Sequence, residues 1–259
     1  MRIVIRTSRW AKWAQRFGVL AFPIAIGAVF AHRALLLTSE HFLFVETGAM
    51  ALGALAVLFG LVAMVRLWFT GDRGWRRAIA GIVLGGVCLS PLAYAAAMST
   101  GAPRIADVST DLARPPALLS TFRPLSLDTA ETDAVATAFP TLKSRDYRLD
   151  ASTVFELAMR LVRARGWQVR VQRAPLGPDG EGQVNAIAMT LVGWRDEVAI
   201  RVSGHMDGTV VDMRSASLFG EADLGTNGRR IEGFLADLDA AVAARLGLPS
   251  GDAPAGEGN

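Results

Sequence analysis

The segment Val198-Ala-Ile-Arg-Val-Ser-Gly-His-Met-Asp-Gly-Thr-Val-Val-Asp-Met-Arg214 decides the fold of the C-terminal half. Val198, Ile200 and Val202 alternate with Ala199, Arg201 and Ser203. After a turn at Asp207-Gly208, Val211 and Met213 alternate with Asp212 and Arg214. A period of two reads as a strand with one buried face, and Asp-Gly is turn chemistry. Working outward, Ile187, Met189 and Leu191 alternate with Ala186, Ala188 and Thr190. Before them, Trp167, Val169 and Val171 alternate with Gln168, Arg170 and Gln172. Pro-Asp-Gly at 178–180 and Arg195-Asp196 supply the intervening turns. Helical patterns flank the four strands. Thr153 and Glu156 form a possible capping box, followed by a stripe of Val154, Leu157, Ala158, Leu161 and Val162 that stops at Gly166. Asn227 opens a last helix with Ile231, Phe234, Leu235, Leu238 and Val242 on one face, and Gly247 and Pro249 end it. Short connections imply an antiparallel meander. The order helix, four strands, helix predicts a two-layer α+β domain over residues 141–249. The face bearing Val169, Ile187, Ile200 and Val211 is expected to meet the helices. Residues 250–259 read as a disordered tail.

The N-terminal part is a different material. Three apolar runs, at about 17–37, 42–67 and 78–98, each reach the ~20 residues a helix needs to cross the hydrocarbon layer. Residues 55–65 and 79–89 are apolar all round, so a buried core helix with one polar face does not describe them. The first run ends in His32-Arg33 with no small-residue cleavage site, so it does not read as a signal peptide. Gly81/Gly85, Ala49/Gly53 and Ala56/Gly60 are small-xxx-small pairs that let helices approach closely. Glu46 is the one acid within an apolar run; it is placed to reach the interface or to pair with Arg33 or His32.

Charge sets the expected orientation. Of 259 residues, 51% are hydrophobic and 20% charged, which excludes a disordered or fibrous chain. The net charge of +3 divides unevenly: residues 1–99 carry a balance of +7, the remainder −4. The basic part is also the apolar part, which points to a membrane and away from nucleic acid. Basic residues crowd the segment 1–16 and the loop with Arg66, Arg73, Arg76 and Arg77, while the loop between the first two runs carries Glu40 and His41. The positive-inside rule then gives a multi-pass protein of the bacterial inner membrane, its N-terminus cytoplasmic and its C-terminal domain periplasmic.

Between the two parts, residues 99–140 contain Pro103, Pro115, Pro116, Pro124 and Pro140. They read as an extended segment that crosses a surface, because a free tether would not need Leu118, Leu119 and Phe122. Asp128 is placed to cap a short helix over 129–138.

Little catalytic chemistry is available. One cysteine, Cys88, excludes a disulfide framework. The C-terminal domain has one histidine, His205, in a Gly-His-Met-Asp-Gly turn, too few ligands for a usual zinc site. There is no GxGxxG after a strand and no Walker A, so no cofactor is expected. The densest polar stretch is Arg214-Ser-Ala-Ser-Leu-Phe-Gly-Glu-Ala-Asp-Leu-Gly-Thr-Asn-Gly-Arg-Arg-Ile231. Arg214, Asp223, Asn227 and Arg230 form its candidate polar site. In one reading Asn227 or Thr226 caps the last helix, Gly220 and Gly225 allow positive φ, and Asp223 pairs with Arg214 or Arg230. In the other, Arg214, Arg230 and free amides hold a small anion. A calcium loop from Glu221, Asp223 and Asn227 lacks a closing bidentate acid.

This stretch resembles the signature of the DUF1499 family: Arg-Ser-x-Ser, Gly, Asp-(Leu/Phe)-Gly-x-Asn, then Arg-(Ile/Val) entering a helix. Arg214, Ser215, Ser217, Gly220, Asp223, Gly225, Asn227, Arg230 and Ile231 match, whereas Leu218 and Ala222 stand where many relatives carry Arg and Ser. Asp107-Val-Ser-Thr-Asp-Leu-Ala-Arg-Pro-Pro116 and Gly193-Trp-Arg-Asp-Glu-Val198 resemble the family too, so the likeness covers about 104–247. It implies no activity. The expected function is a membrane-anchored envelope protein whose exported domain serves binding or assembly, with the bilayer, an envelope protein or an anionic ligand as partners and no nucleic acid. The alternatives are a membrane-surface hydrolase or lipid-handling enzyme, and a small-solute transporter component.

Overall fold

A computed structural model describes residues 6–99, 105–120 and 129–247. The chain divides into two compact units, one built on three long helices and one on a sheet.

The helical unit contains α1 (Arg9–Arg33), α2 (Ser39–Thr70) and α3 (Trp75–Ser99). All three are long and apolar enough to cross a membrane; α2 and α3 extend past their apolar runs, whereas α1 begins earlier, at Arg9, and ends at Arg33, short of the expected 37. Their contact surfaces are alanine and glycine: Ala11, Ala14, Ala21, Ala49, Ala56, Ala63 and Ala78 are buried, while Phe30, Phe44, Trp68 and Phe69 face outward. This suits a bilayer, where lipid solvates large apolar side chains and close backbone approach drives association. The two glycines of the Gly81/Gly85 pair serve different neighbours. A Cβ on Gly81 would lie 2.5 Å from the carbonyl carbon of Ala14 in α1, and one on Gly85 would collide with the carbonyl oxygen of Gly53 in α2. One helical turn of α3 thus seats both partners. Glu46 is buried, and its Oε2 has no hydrogen-bond partner among the described residues.

The second unit is α+β. Its elements are β1 (Asp107–Ser109), α4 (Thr129–Ala138), β2 (Arg145–Tyr147), α5 (Ala151–Ala164), β3 (Gln168–Arg173), β4 (Glu181–Met189), β5 (Arg195–His205), β6 (Gly208–Ser217) and α6 (Thr226–Leu246). The sheet is antiparallel with order β1-β6-β5-β4-β3, and β2 also pairs with β6. The expected meander is its body. The two extra strands, each three residues long, share the outer edge of β6 and bring the sheet to six strands. Strands this short leave no periodic trace in a sequence.

The helices cover the face bearing Val184, Ala186, Ala188, Val198, Ile200, Val202, Val211 and Met213, which pack with Val154, Phe155, Leu157, Ala158 and Val162 of α5 and Ile231, Phe234, Leu235 and Leu238 of α6. Ile187 is not among them. It pairs with Glu197 while Ala186 pairs with Val198, so Ile187 belongs to the opposite face. A one-residue shift exchanges the faces of a whole strand. In β4 both candidate sets are apolar, and the alanines go where the helices lie. Val169 and Val171 do not share a face either, because a register shift between them sets Val171 opposite Asn185. Helix α5 starts earlier than the capping box suggests: its N-cap is Asp150, whose carboxylate accepts from the Thr153 amide (2.9 Å) and hydroxyl (2.7 Å).

The opposite face is polar, and residues 111–120 lie across it as a strap. Its side chains hold the strap's main chain. Glu197 accepts from the amides of Leu119 (2.6 Å) and Ser120 (2.8 Å), Asn185 donates to the Ala117 carbonyl (2.8 Å), and Arg201 donates to the Arg114 carbonyl (2.9 Å). Arg201 also bridges Asp111 (2.8 Å) and Asp212 (2.7 Å). The extended segment crosses a surface as expected, but by polar contacts: Leu119 is 54% exposed. Phe122 and Asp128 lie outside the described residues. On the other flank, β2 is pinned to α6 by Tyr147 Oη donating to Asp239 (2.7 Å) and by an Arg145–Asp239 bridge (3.2 Å).

Two outcomes follow from this packing. Gly85→Val should lower helical stability by about 1–3 kcal/mol through overpacking. Gly86→Val, which has nothing within 4 Å of its Cβ position, should be near neutral; equal thermal shifts in detergent would refute the glycine seat. The second concerns acid. Burial raises the Asp111 carboxyl's pKa, but the amides of Arg114 and Ala113 and the Arg201 guanidinium outweigh it and hold the group below its ordinary 3.8. A depressed carboxylate contributes fully above its unfolded value and loses that contribution as pH falls through the folded value. Exchange protection of the Ala113 and Arg114 amides should therefore collapse below pH 3.8, before that of β4 and β5. In Asp111→Asn these amides should already exchange quickly at neutral pH.

Candidate functional site

The signature stretch forms the end of β6, a loop and the first turn of α6. Its first residue, Arg214, is completely buried. Position 214 pairs with Ser109 of β1, and Asp107 stands on the same face two residues along. The guanidinium therefore meets that carboxylate as a fork, Nε to Oδ1 at 2.9 Å and Nη2 to Oδ2 at 2.7 Å, and also donates to the Pro116 carbonyl of the strap (3.4 Å).

The loop reverses through two left-handed residues, Leu224 (φ 54°) and Gly225 (φ 76°). Gly225 is the N-cap of α6 and has no side chain to offer, so the orphan amides go elsewhere. Asp223 takes them: its carboxylate accepts from Gly225 N–H (2.8 Å) and Asn227 N–H (2.5 Å). Burial nonetheless raises the Asp223 pKa, ahead of the lowering effect of these amides.

Asn227 is not the cap. It is completely buried one residue inside the helix. Its Oδ1 accepts from the Ser215 hydroxyl (2.7 Å) and from Arg230, and its Nδ2 donates to the Ala106 carbonyl (3.1 Å) and Ser217 Oγ (3.0 Å). An amide with both ends in use ties α6 to β6 and to the chain entering β1. Arg230 joins this knot through Ser215 Oγ (2.9 Å) and bridges Asp196 of β5 at 2.5 Å. Asp223 thus makes neither of the ion pairs expected of it: Arg214 takes Asp107 and Arg230 takes Asp196. Asp107, Asp196 and Glu197 lie outside the polar stretch 214–231. Each lies in one of the two other stretches that resemble the family, and the three stretches converge here. An acid in each of those stretches is the available signal for the buried Arg214 and the half-buried Arg230.

The arrangement binds itself. Both guanidiniums are committed to carboxylates, and the amides at the start of α6 to Asp223. Among the described residues, no group of three or more His, Cys, Asp or Glu is placed to hold a metal ion.

His205 lies elsewhere, at the turn between β5 and β6. Its Nε2 is 3.2 Å from Asp146 Oδ1. It lines a cavity of about 450 Å³ with Arg148, Asp150, Asp179 and Asp207, and no serine, threonine or cysteine lines that cavity. A histidine–carboxylate pair without a neighbouring nucleophile lacks the first member of a hydrolytic triad.

Substitutions separate a knot from a cap. Asn227→Asp removes two donors from buried acceptors and should destabilise by about 2–4 kcal/mol, whereas a cap position would tolerate it. Asp223→Ala should cost about 1–2 kcal/mol as a lost cap. Chemical denaturation measures both, and a neutral Asn227→Asp would restore the cap assignment.

No curated protein matches the chain. A family described as "Protein of unknown function (DUF1499)" matches residues 107–238, from the first residue of β1 into α6. That span covers more than half of the 259 residues and contains the strap, the sheet and the side chains of the knot. The chain belongs to the DUF1499 family, here joined to three membrane-type helices.

Proposed function

We propose that this protein is an inner-membrane protein whose sheet domain stands in the periplasm and serves binding or assembly without a catalytic step of its own. The observation that carries the reading is the self-satisfaction of the signature. Arg214, Asp223, Asn227 and Arg230 spend their hydrogen bonds on one another's elements, which is what a rigid scaffold requires. An anionic ligand or an envelope partner would then be met by the domain's exposed surface. The distribution of Lys and Arg around the helices supports the orientation.

A hydrolase or lipid-handling enzyme would centre on His205 and Asp146, and that cavity offers it no hydroxyl or thiol. A transporter component has one supporting feature, the buried Glu46. Three helices packed through alanine and glycine leave that carboxyl without a polar route.

Two measurements test the proposal. Alkaline phosphatase fused after Leu246 should be active and a fusion at Gly71 inactive; the reverse pattern overturns the orientation. A photo-reactive residue in place of Met206, which is 94% exposed, should yield a discrete crosslinked adduct in growing cells. Silence there and at Leu176, 93% exposed, would count against assembly.

A further inference from the structure

One end of the sheet presents an apolar tip. The turn between β4 and β5 runs Thr190-Leu-Val-Gly-Trp194 and closes on itself: the Thr190 amide donates to the Trp194 carbonyl (2.8 Å), and the Trp194 amide to Thr190 Oγ1 (3.0 Å). Leu191 in this turn is 86% exposed. The Trp194 ring stacks on Phe219, with centroids 5.4 Å apart and planes 13° from parallel. Phe219 follows β6, and the chain there is held to β5 by the Leu218 amide, which donates to the Arg195 carbonyl (3.0 Å). Trp194 and Leu218 are half-buried and Phe219 is exposed. Exposed apolar side chains grouped at one end of a domain mark an interaction site.

The chain enters the domain at this same end. The Ile105 and Ala106 carbonyls accept from the amides of Asp223 (3.3 Å) and Ser217 (2.8 Å), which flank Phe219 in the sequence. There β1 begins, with Asp107 opposite Ala216. Helix α3, apolar through Met98, ends at Ser99. Only residues 100–104 lie between, so Ile105 is tied within about 20 Å of the end of α3. The other end of the sheet, with the loop of Leu176 and the turn of Met206, is a full strand away: β5 has 11 residues, a length of about 35 Å.

From the tip and the tether together we infer that Leu191, Trp194 and Phe219 dip into the interface of the bilayer that holds α3. The length of the connection selects that occupant. A membrane-type helix ends a few residues before the strand that enters at this tip, which keeps a lipid surface at high effective concentration. Aromatic rings settle at the headgroup level, and apolar side chains beside them gain by leaving water. The nearest exposed charges in the chain are of opposite sign, Arg195 next to Trp194 and Glu221 two residues after Phe219. Apolar burial, not lipid charge, therefore carries the contact. The inference uses the membrane anchor, but neither its orientation nor a binding role for the domain.

The experiment places nitroxide labels on single cysteines of the full chain, in a Cys88→Ala background, reconstituted in phosphatidylcholine bilayers. Collision with oxygen, which concentrates in lipid, is compared with collision with a water-soluble nickel chelate. Labels at Leu191→Cys and Phe219→Cys should show an oxygen-to-nickel ratio several-fold above labels at Leu176→Cys and Met206→Cys. Phe219→Asp should bring the Leu191→Cys label down to the ratio of Leu176→Cys, and Phe219→Trp should leave it in lipid. Unchanged exchange protection of β4 and β5 amides establishes that the variants are folded. The inference is overturned if the nickel chelate reaches the tip labels as freely as it reaches Leu176→Cys. It is likewise overturned if the tip labels are shielded from both reagents, which assigns the tip to a protein contact, or if they enter lipid only when phosphatidylglycerol is added. A label at Val83→Cys, on an exposed position of α3, reads the anchor itself. Lipid exposure there with water exposure at the tip overturns the docking alone, and water exposure at both overturns the anchor as well.

Discussion

At the seam between β6 and β1, a guanidinium and a carboxylate face each other with almost no contact with water: the side chains of Arg214 and Asp107 are 1% and 3% exposed. Burying two such charges costs several kcal/mol per ion, and only a bidentate geometry with the remaining donors satisfied offsets it. Both conditions are met, the second by the Pro116 carbonyl. Loss of either partner would leave an uncompensated buried charge, a penalty of about 3–5 kcal/mol. The strap depends on this pair for its route, the outer face depends on the strap for its cover, and Glu197 and Asn185 depend on the strap's peptide groups for their partners.

The sheet therefore separates two interiors of opposite character. On the helix side the centre is apolar and close-packed, and polar contacts gather at one end, where Ser215, Ser217 and Asp196 meet Asn227 and Arg230 of α6. On the strap side contacts are ionic and hydrogen-bonded, and each has one acceptable geometry. An unsatisfied buried polar group costs more than a satisfied one contributes. The polar side thus tolerates fewer arrangements of the chain than the apolar side does, although it adds less net stability. Of the family's signature residues, Arg214 lies on the strap side, and Ser215, Ser217, Asn227 and Arg230 lie at the polar end of the helix side. The membrane-type helices solve the same problem with small residues, where backbones touch and specificity comes from shape.

In α5, α6 and the runs 198–203 and 208–214 the pattern is legible because one face of each is more apolar than the other, and α1–α3 are legible because they are apolar over a membrane-spanning length. Where both faces are apolar, as in 186–189, alternation carries no sign, and Ile187 was placed on the wrong side. Caps were misread for a related reason. Thr153 and Asn227 both have capping chemistry, yet Asp150 and Asp223 perform the task, because the first is one turn earlier and the second reaches around a glycine. Which polar side chain is consumed by a neighbour 107 residues away is not written in any local spacing. The density of polar residues in 214–231 does not by itself say whether they hold the protein or a ligand; the hydrogen-bond geometry shows them bonded to one another's elements.

The separation between Asp107 and Arg214 also sets an order of events. A ribosome adds about 5–20 residues per second, so Asp107 is made on the order of 5–20 s before its partner. During that interval the strap has no face to lie on, because β5 and β6 do not yet exist. The hairpins of β4, β5 and β6 close locally and quickly once made, and the knot around Asn227 follows within a few residues of chain. The earliest-made part of the domain thus waits for β5 and β6, and the N-terminal strap acts as a closing segment rather than a foundation.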